Sequence, residues 1–272
     1  MSAQIEAHVY RPLRALGRYV DCFWYRRGEV PNRRRELSMP TGSADLVINL
    51  NDDCITVFEN ACDTLGVRTR GAIVHGPQTR SFVINNLKRV HFVGIHFKPG
   101  GCGLLGVPPA EILNRHLSLH DLWGDSVGSL REQLMECDSP RQMFVVLEQA
   151  LLRRMDEKQM VKPVVSFALR TFNRPDAFLP VAELQRRSGY SERRFTDLFK
   201  QAVGLSPKKF ARVMRLRATL EHLANGSGTL AEVAAANGYF DHAHLTNDFQ
   251  ELVGVSPSEY RPSARSVLHM EV

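Results

Sequence analysis

The sequence predicts an α+β protein: a β-rich, barrel-like N-terminal domain, a helical connector and an all-α C-terminal domain. Three observations carry this. Short β-favouring runs between turn signals fill residues 1–125. From residue 126 to 173 the pattern turns helical. Residues 174–272 contain one helical unit written twice, 50 residues apart.

In the N-terminal region Leu46–Leu50 and Val90–Phe97 read as strands. Pro40-Thr41-Gly42, Gly76-Pro77 and Lys98-Pro99-Gly100-Gly101 are turn signals between such runs. That spacing suits a small sandwich or barrel, read as a regulatory domain over residues 1–125. In the connector, 126–173, Ser139 is an N-cap and Pro140 the first helical residue. Phe144, Leu147, Leu151 and Met155 then share one helical stripe. It suits a homodimer surface or packing against its own N-terminal domain. A second helix is predicted over Val161–Phe172, and Asn173-Arg174-Pro175 ends it.

The C-terminal repeat is specific. Phe199, Gly204, Ser206-Pro207 and Phe210 recur as Phe249, Gly254, Ser256-Pro257 and Tyr260. Gly189-Tyr190 recurs as Gly238-Tyr239 one place early, so the second turn is a residue longer. Each unit opens with a short helix, Val181–Arg187 and Leu230–Asn237, the second behind a Thr229…Glu232 capping box. Ser191 and Asp241 then cap a second, amphipathic helix. Phe195, Leu198 and Phe199 make its apolar face; Arg193, Thr196, Asp197 and Lys200 make its polar one. Short helix, tight turn and amphipathic helix form a helix-turn-helix. A joining helix is predicted from Pro207 to Ala224.

On the segments GYSERRFTDLFKQAVGLSPKKF and GYFDHAHLTNDFQELVGVSPSEYRP, residues 175–262 resemble the AraC/XylS family of bacterial regulators. The resemblance implies a seven-helix DNA-binding domain whose two recognition helices enter successive major-groove segments of double-stranded DNA. It also implies a transcription regulator, of activator or repressor sign. By position, Arg193, Thr196 and Asp197 of the first unit and His242, Ala243, Thr246 and Asn247 of the second are the base-reading candidates. Arg194, Lys200, Lys208 and Lys209 are the phosphate-contacting ones. The family often carries Arg where Asp197 and Asn247 stand here. YRPLRALGRYVDCFWY, GPQTRSFVI and HFKPGGCGLLGVPPAEIL resemble, more weakly, the sensor domain that precedes such units, which implies a small-molecule effector or partner there.

Composition agrees. With 272 residues there is room for two cores. A 43% hydrophobic and 24% charged content is that of a soluble globular protein, and the net charge of +6 permits a polyanionic partner. Cys22, Cys54, Cys62, Cys102 and Cys137 are odd in number and form no CxxC pair, which argues against a disulfide framework or zinc site and fits a reducing cytosol. The N-terminus does not read as a leader, and no apolar run reaches the ~18 residues of a membrane span. The expectation is therefore a cytoplasmic protein, not membrane-bound and not an enzyme, with no cofactor and no metal.

Other chemistry is weaker. Arg33-Arg34-Arg35 reads as a solvated loop. His91 and His96, five apart on one strand, fall on opposite faces and cannot share a metal. Phe97–Gly101 reads as a turn rather than a phosphate cradle, and Phe23, Trp24 and Tyr25 as core rather than a ligand pocket. The alternative function is a DNA-targeted repair-type enzyme that uses the helix-turn-helix units as a tether. It needs a reactive cysteine, and neither Cys22 nor Cys102 has a neighbouring base in sequence.

Charge separates the two units. Val181–Thr219 holds ten Lys or Arg against three acids, whereas Leu220–Tyr260 holds no Lys or Arg and six acids. Phosphate attraction is expected to reside in the first unit and its joining helix, while the second unit tunes specificity and binds weakly or instead faces a protein such as RNA polymerase.

Overall fold

A computed structural model describes residues 5–13, 15–29, 35–85, 89–155, 161–172, 180–226, 228–262 and 269–271. In chain order its strands are β1 (Glu6–Tyr10), β2 (Val20–Glu29), β3 (Arg35–Ser38), β4 (Asp45–Asn49), β5 (Cys54–Phe58), β6 (Val67–Arg70), β7 (Ala72–His75), β8 (Phe82–Asn85), β9 (Arg89–Phe97), β10 (His116–Ser118) and β11 (His269–Glu271). The helices are α1 (Leu119–Trp123), α2 (Ser126–Met135), α3 (Pro140–Leu152), α4 (Pro163–Phe172), α5 (Val181–Ser188), α6 (Glu192–Val203), α7 (Pro207–Ala224), α8 (Leu230–Ala236) and α9 (His242–Val253). Asn173-Arg174-Pro175, Arg33 and Arg34 lie outside the described residues.

Two antiparallel sheets form the N-terminal part. One runs β1-β2-β9-β4-β7-β10, the other β11-β3-β8-β5-β6. Alternation along each strand separates two cores. Leu46 and Ile48 of β4 point to one side, with Phe23, Val93 and Ile95. Val47 points to the other, where Ile73 meets Val57 and Phe82 of the second sheet. The two sheets therefore pack as a sandwich.

The outer apolar face of the six-stranded sheet needs a cover, and α2 and α3 supply it. Ser139 caps α3 with Pro140 in its first turn, as the sequence predicts. Phe144, Leu147 and Leu151 sit in one core with Phe23, Leu46 and Ile95. The dimer-surface expectation for this stripe is corrected: burying each such side chain in its own domain is worth about 1.5–3 kcal/mol, which leaves only Met155, 39% exposed, at the surface. The expected connector is thereby divided, because α4 packs with the later helices through Val165 and Ala168 against Leu184, Phe195 and Phe199.

The last strand falls in a segment that the sequence assigns to the helical domain. Its residues pair His269↔Ser38 and Met270↔Leu37 with β3, so the chain returns to the sandwich after α9. Met270 joins Leu37, Met39, Phe58 and Val83 of the sandwich and Leu216, Leu220, Tyr239 and Phe249 of the helices in one core. The second helical unit and the N-terminal domain thus share buried apolar surface.

Candidate nucleic-acid interface

The two candidate reading helices, α6 and α9, are stopped at both ends by local chemistry. Ser191 Oγ accepts the Arg194 N–H at 3.3 Å at the start of α6, and an Asp241 carboxylate oxygen accepts the His244 N–H at 2.7 Å at the start of α9. Both helices end on a glycine with positive φ, Gly204 at 92° and Gly254 at 87°, where a side chain would be strained. The Thr229–Glu232 capping box closes in both directions at the start of α8. Ser206 Oγ accepts the Lys209 N–H at the start of the joining helix α7.

Burial repeats with the sequence. Residues 191–200 and 241–250 have the same order of exposed, intermediate and buried positions throughout. In α6, Phe195, Leu198 and Phe199 are buried, while Arg193, Arg194, Asp197 and Lys200 are exposed and Thr196 is half-buried. In α9, Leu245, Asp248 and Phe249 are buried, while His242, Ala243 and Asn247 are exposed and Thr246 is half-buried. Lys208 and Lys209 are exposed at the start of α7. Each reading helix therefore gathers its own candidates on its outer face. Thr246 is partly committed, since its hydroxyl donates to the His242 carbonyl at 2.8 Å.

The second unit carries a buried charge that periodicity missed. Asp248 stands where Leu198 stands in the first unit and is 6% exposed. It accepts hydrogen bonds from Arg212 of α7 and from the Tyr239 hydroxyl. Arg212 also forms a two-pronged pair with Glu251 at 2.9 and 2.6 Å. Those hydrogen bonds, Glu251 first, outweigh burial and hold Arg212 above its ordinary value. Five of the six acids of this unit thus have structural partners: Asp248 and Glu251 hold Arg212, Glu232 and Asp241 cap helices, and Glu259 accepts from Ser256 at 2.6 Å.

The N-terminal sandwich meets the far ends of both reading helices. Ser81 N–H donates to the Leu252 carbonyl at 2.8 Å, and Ser81 Oγ donates to the Val253 carbonyl at 2.7 Å. At the end of α6, a β-carbon on Gly204 would stand 2.8 Å from the Pro109 carbonyl oxygen and 3.2 Å from Pro77. The segment Pro77–Ser81, part of the GPQTRSFVI stretch, is itself pinned by Asn114, which accepts the Thr79 N–H at 2.7 Å. Beside it a groove of about 310 Å³ lies between Gly100, Val107 and Pro108 of the sandwich and Leu198 and Gln201 of α6.

A family profile for a helix-turn-helix domain (HTH_18) matches residues 184–263, and a profile for a domain of unknown function (DUF6597) matches residues 8–118. An AraC-like transcription regulator of Streptomyces antibioticus is 32% identical over 103 residues, which is 38% of this chain and 34% of that protein. The transcriptional activator RhaR of Pectobacterium atrosepticum is 35% identical over 72 residues, 26% of this chain and 25% of RhaR. The helical region of this chain contains a helix-turn-helix domain similar to that of AraC-like transcription regulators. The chain spans about a third or less of the length of these relatives. Structures of ToxT from Vibrio cholerae are similar along 96% of this chain and 98% of theirs, at 9% identity and a TM-score of 0.43 in one crystal form.

Around the helix-turn-helix domain the other candidates take structural places. The Lys98 and Gly101 N–H groups are used within their turn, on the Tyr19 and Lys98 carbonyls, so Phe97–Gly101 does not present them to a phosphate. Phe23 and Tyr25 are core. Trp24 lies on the opposite face, where its ring would be 2.4 Å from a β-carbon at Gly94. Burial pushes the Cys22 thiol up to about 11 and the Cys102 thiol to about 12, so the thiolate is disfavoured at both. His96 pairs with Asp45 at 2.7 Å, and His75 meets His116 at 2.7 Å between Nδ1 atoms. The strand register places His96, Asp45, His75 and His116 in one row across β9, β4, β7 and β10. Among the described residues no group of three or more such side chains is arranged to hold a metal ion, and no helix is long and apolar enough to cross a membrane.

Proposed function

We propose that this protein is a cytoplasmic, non-enzymatic transcription regulator that binds a specific double-stranded DNA site through α6 and α9. The observation that carries this is the matched burial over residues 191–200 and 241–250, which presents two capped helices with polar outer faces. In this reading Arg193, Thr196 and Asp197, and His242, Ala243, Thr246 and Asn247, face base edges. Arg194, Lys200, Lys208 and Lys209 face phosphates.

The N-terminal sandwich is the regulatory half in this reading. An effector or protein partner bound there acts on DNA affinity through the Pro77–Ser81 segment, which touches the ends of both reading helices. Contact with RNA polymerase belongs to the same reading.

Selection from a pool of random duplexes with the full chain tests it, followed by gel-shift titration of Arg193→Ala on the selected site. The expected result is one enriched sequence and a loss of about 1–3 kcal/mol with relaxed specificity at one position. A pool that remains unenriched, or a variant that binds the selected site as the parent does, refutes the respective part.

A further inference from the structure

The turn of the second unit is one residue longer than that of the first, and the additional length leaves an aromatic ring outside. Before the N-cap of α6 stands Tyr190, 44% exposed. Before the N-cap of α9 stand Tyr239, 6% exposed, and then Phe240, 92% exposed. A hydrophobic residue in Phe240's place ordinarily packs on the fourth residue of the helix that follows. That residue, Leu245, is already fully buried, and Phe240 covers nothing.

The backbone that carries this ring is nonetheless fixed. Phe240 N–H donates to His244 Nδ1 at 3.3 Å. The His244 ring meets Tyr239 edge-on with centroids 5.2 Å apart, and the Tyr239 hydroxyl donates to Asp248 at 3.2 Å. Because its Nδ1 accepts, neutral His244 carries its proton on Nε2 and keeps one donor for another partner. An exposed apolar ring on a fixed backbone and a donor thus both stand at the start of α9.

We propose that Phe240 and His244 are the specificity-determining pair of the second unit, reading a thymine step in the major groove. Phe240 packs on the thymine 5-methyl group, and His244 Nε2–H donates to an acceptor on that base or its neighbour. The proposal rests on the DNA-binding reading above. Thymine alone offers a methyl group beside a carbonyl acceptor in the major groove, which matches an apolar ring beside a donor. The second unit has no Lys or Arg between Leu220 and Tyr260, so its contribution must come from contacts other than phosphate pairing. A protein-docking patch would need apolar neighbours. Along the chain from Gly238 to His244 the other exposed residues are Gly238, Asp241, His242, Ala243 and His244, none of them a large apolar side chain.

The test uses the full chain and its selected duplex, with each thymine of the second half-site replaced in turn by deoxyuridine. One position is expected at which loss of the methyl group weakens binding about three- to fivefold. Phe240→Ala should show a similar loss on the thymine site and no longer distinguish thymine from uracil there. Phe240→Leu should restore part of both. Since the ring covers nothing, the melting temperature should not move, which separates this loss from misfolding. A Phe240→Ala protein that still distinguishes thymine from uracil as the parent does overturns the proposal while the DNA-binding reading stands. Unchanged DNA affinity with reduced transcription in a reporter assigns the ring to a protein and overturns it too. A parent protein that selects no sequence refutes the underlying reading instead.

Discussion

Ser81 of the N-terminal sandwich hydrogen-bonds through its hydroxyl to the Val253 carbonyl at 2.7 Å, in the last turn of the second reading helix. Carbonyls in a helix's last turn have no partner within the helix. Here the N-terminal half of the molecule supplies one, and Ser81 N–H supplies another to Leu252. Four residues earlier, Pro77 lies against the glycine that ends the first reading helix.

Ser81→Ala removes the hydroxyl bond and keeps the backbone one. A loss of about 1 kcal/mol of local stability is expected. Amide exchange in the last turn of α9 should quicken about fivefold, with the exchange of α6 unchanged. Equal exchange in parent and variant, followed by mass spectrometry, would show that the contact does not hold α9.

Arg212→Ala leaves Asp248 buried without its cation. The cost expected is on the order of 2–3 kcal/mol in chemical denaturation, because an unpaired buried carboxylate loses far more than an exposed ion pair contributes. Adding Asp248→Asn should recover part of it. A loss below about 0.5 kcal/mol, the range of ordinary surface changes, would mean that the pair is only a surface contact.

Salt dependence separates the two units. Lys208→Ala with Lys209→Ala should lower the slope of log affinity against log salt by about one unit for each phosphate that is no longer neutralised. Thr246→Ala with Asn247→Ala should change affinity but leave the slope. The acids of the second unit do not reverse this, since five of them are already bound to Arg212, Ser256 or helix termini. Equal slopes for the two double variants would refute the asymmetry.

Stability should pass through a maximum near pH 6.5, about the ordinary histidine value. The charge of Asp45 raises His96, so its contribution is complete below that value and is lost as pH rises through the raised one. Burial pushes His75 down to about 3 and His116 to about 4, and burial with Arg27 lowers His91. All three take up protons more readily in the unfolded chain than in the folded one, so stability falls as pH drops from about 6.5. His96→Gln should flatten the alkaline limb of melting temperature against pH and leave the acid limb. An unchanged alkaline limb would show that His96 does not set it.

The two helix-turn-helix units were legible because their information is local. Ser191, Asp241, the Thr229–Glu232 box and the closing glycines act within a turn or two of their own positions, and Phe195, Leu198 and Phe199 follow one period. What escaped depends on residues far apart in sequence. The apolar stripe of α3 does not say what it faces, and only the strand order brings Phe23, Leu46 and Ile95 beneath it. Asp248 gave a signal, a charge where the repeat has Leu198, but its partner Arg212 lies on another helix. Phe240 was visible as the additional turn residue; that it covers nothing was not. Ser81 meets α9 across 172 positions of chain, and the row from His96 to His116 exists only through pairing across strands.

The pairing of β11 with β3 has a consequence for synthesis. His269 seals a strand edge at Ser38, roughly 230 positions after that edge has been made. From the synthesis of β8 until that of β11, β3 has one neighbour, β8, and an open row of backbone groups, the kind of edge that recruits strands from other chains. The helical domain can form in that interval, but it cannot be locked onto the sandwich from both ends until the edge closes. Once closed, it is held like an insert between two anchor points rather than hung on one leash, and any motion that frees it must bend or open one of them.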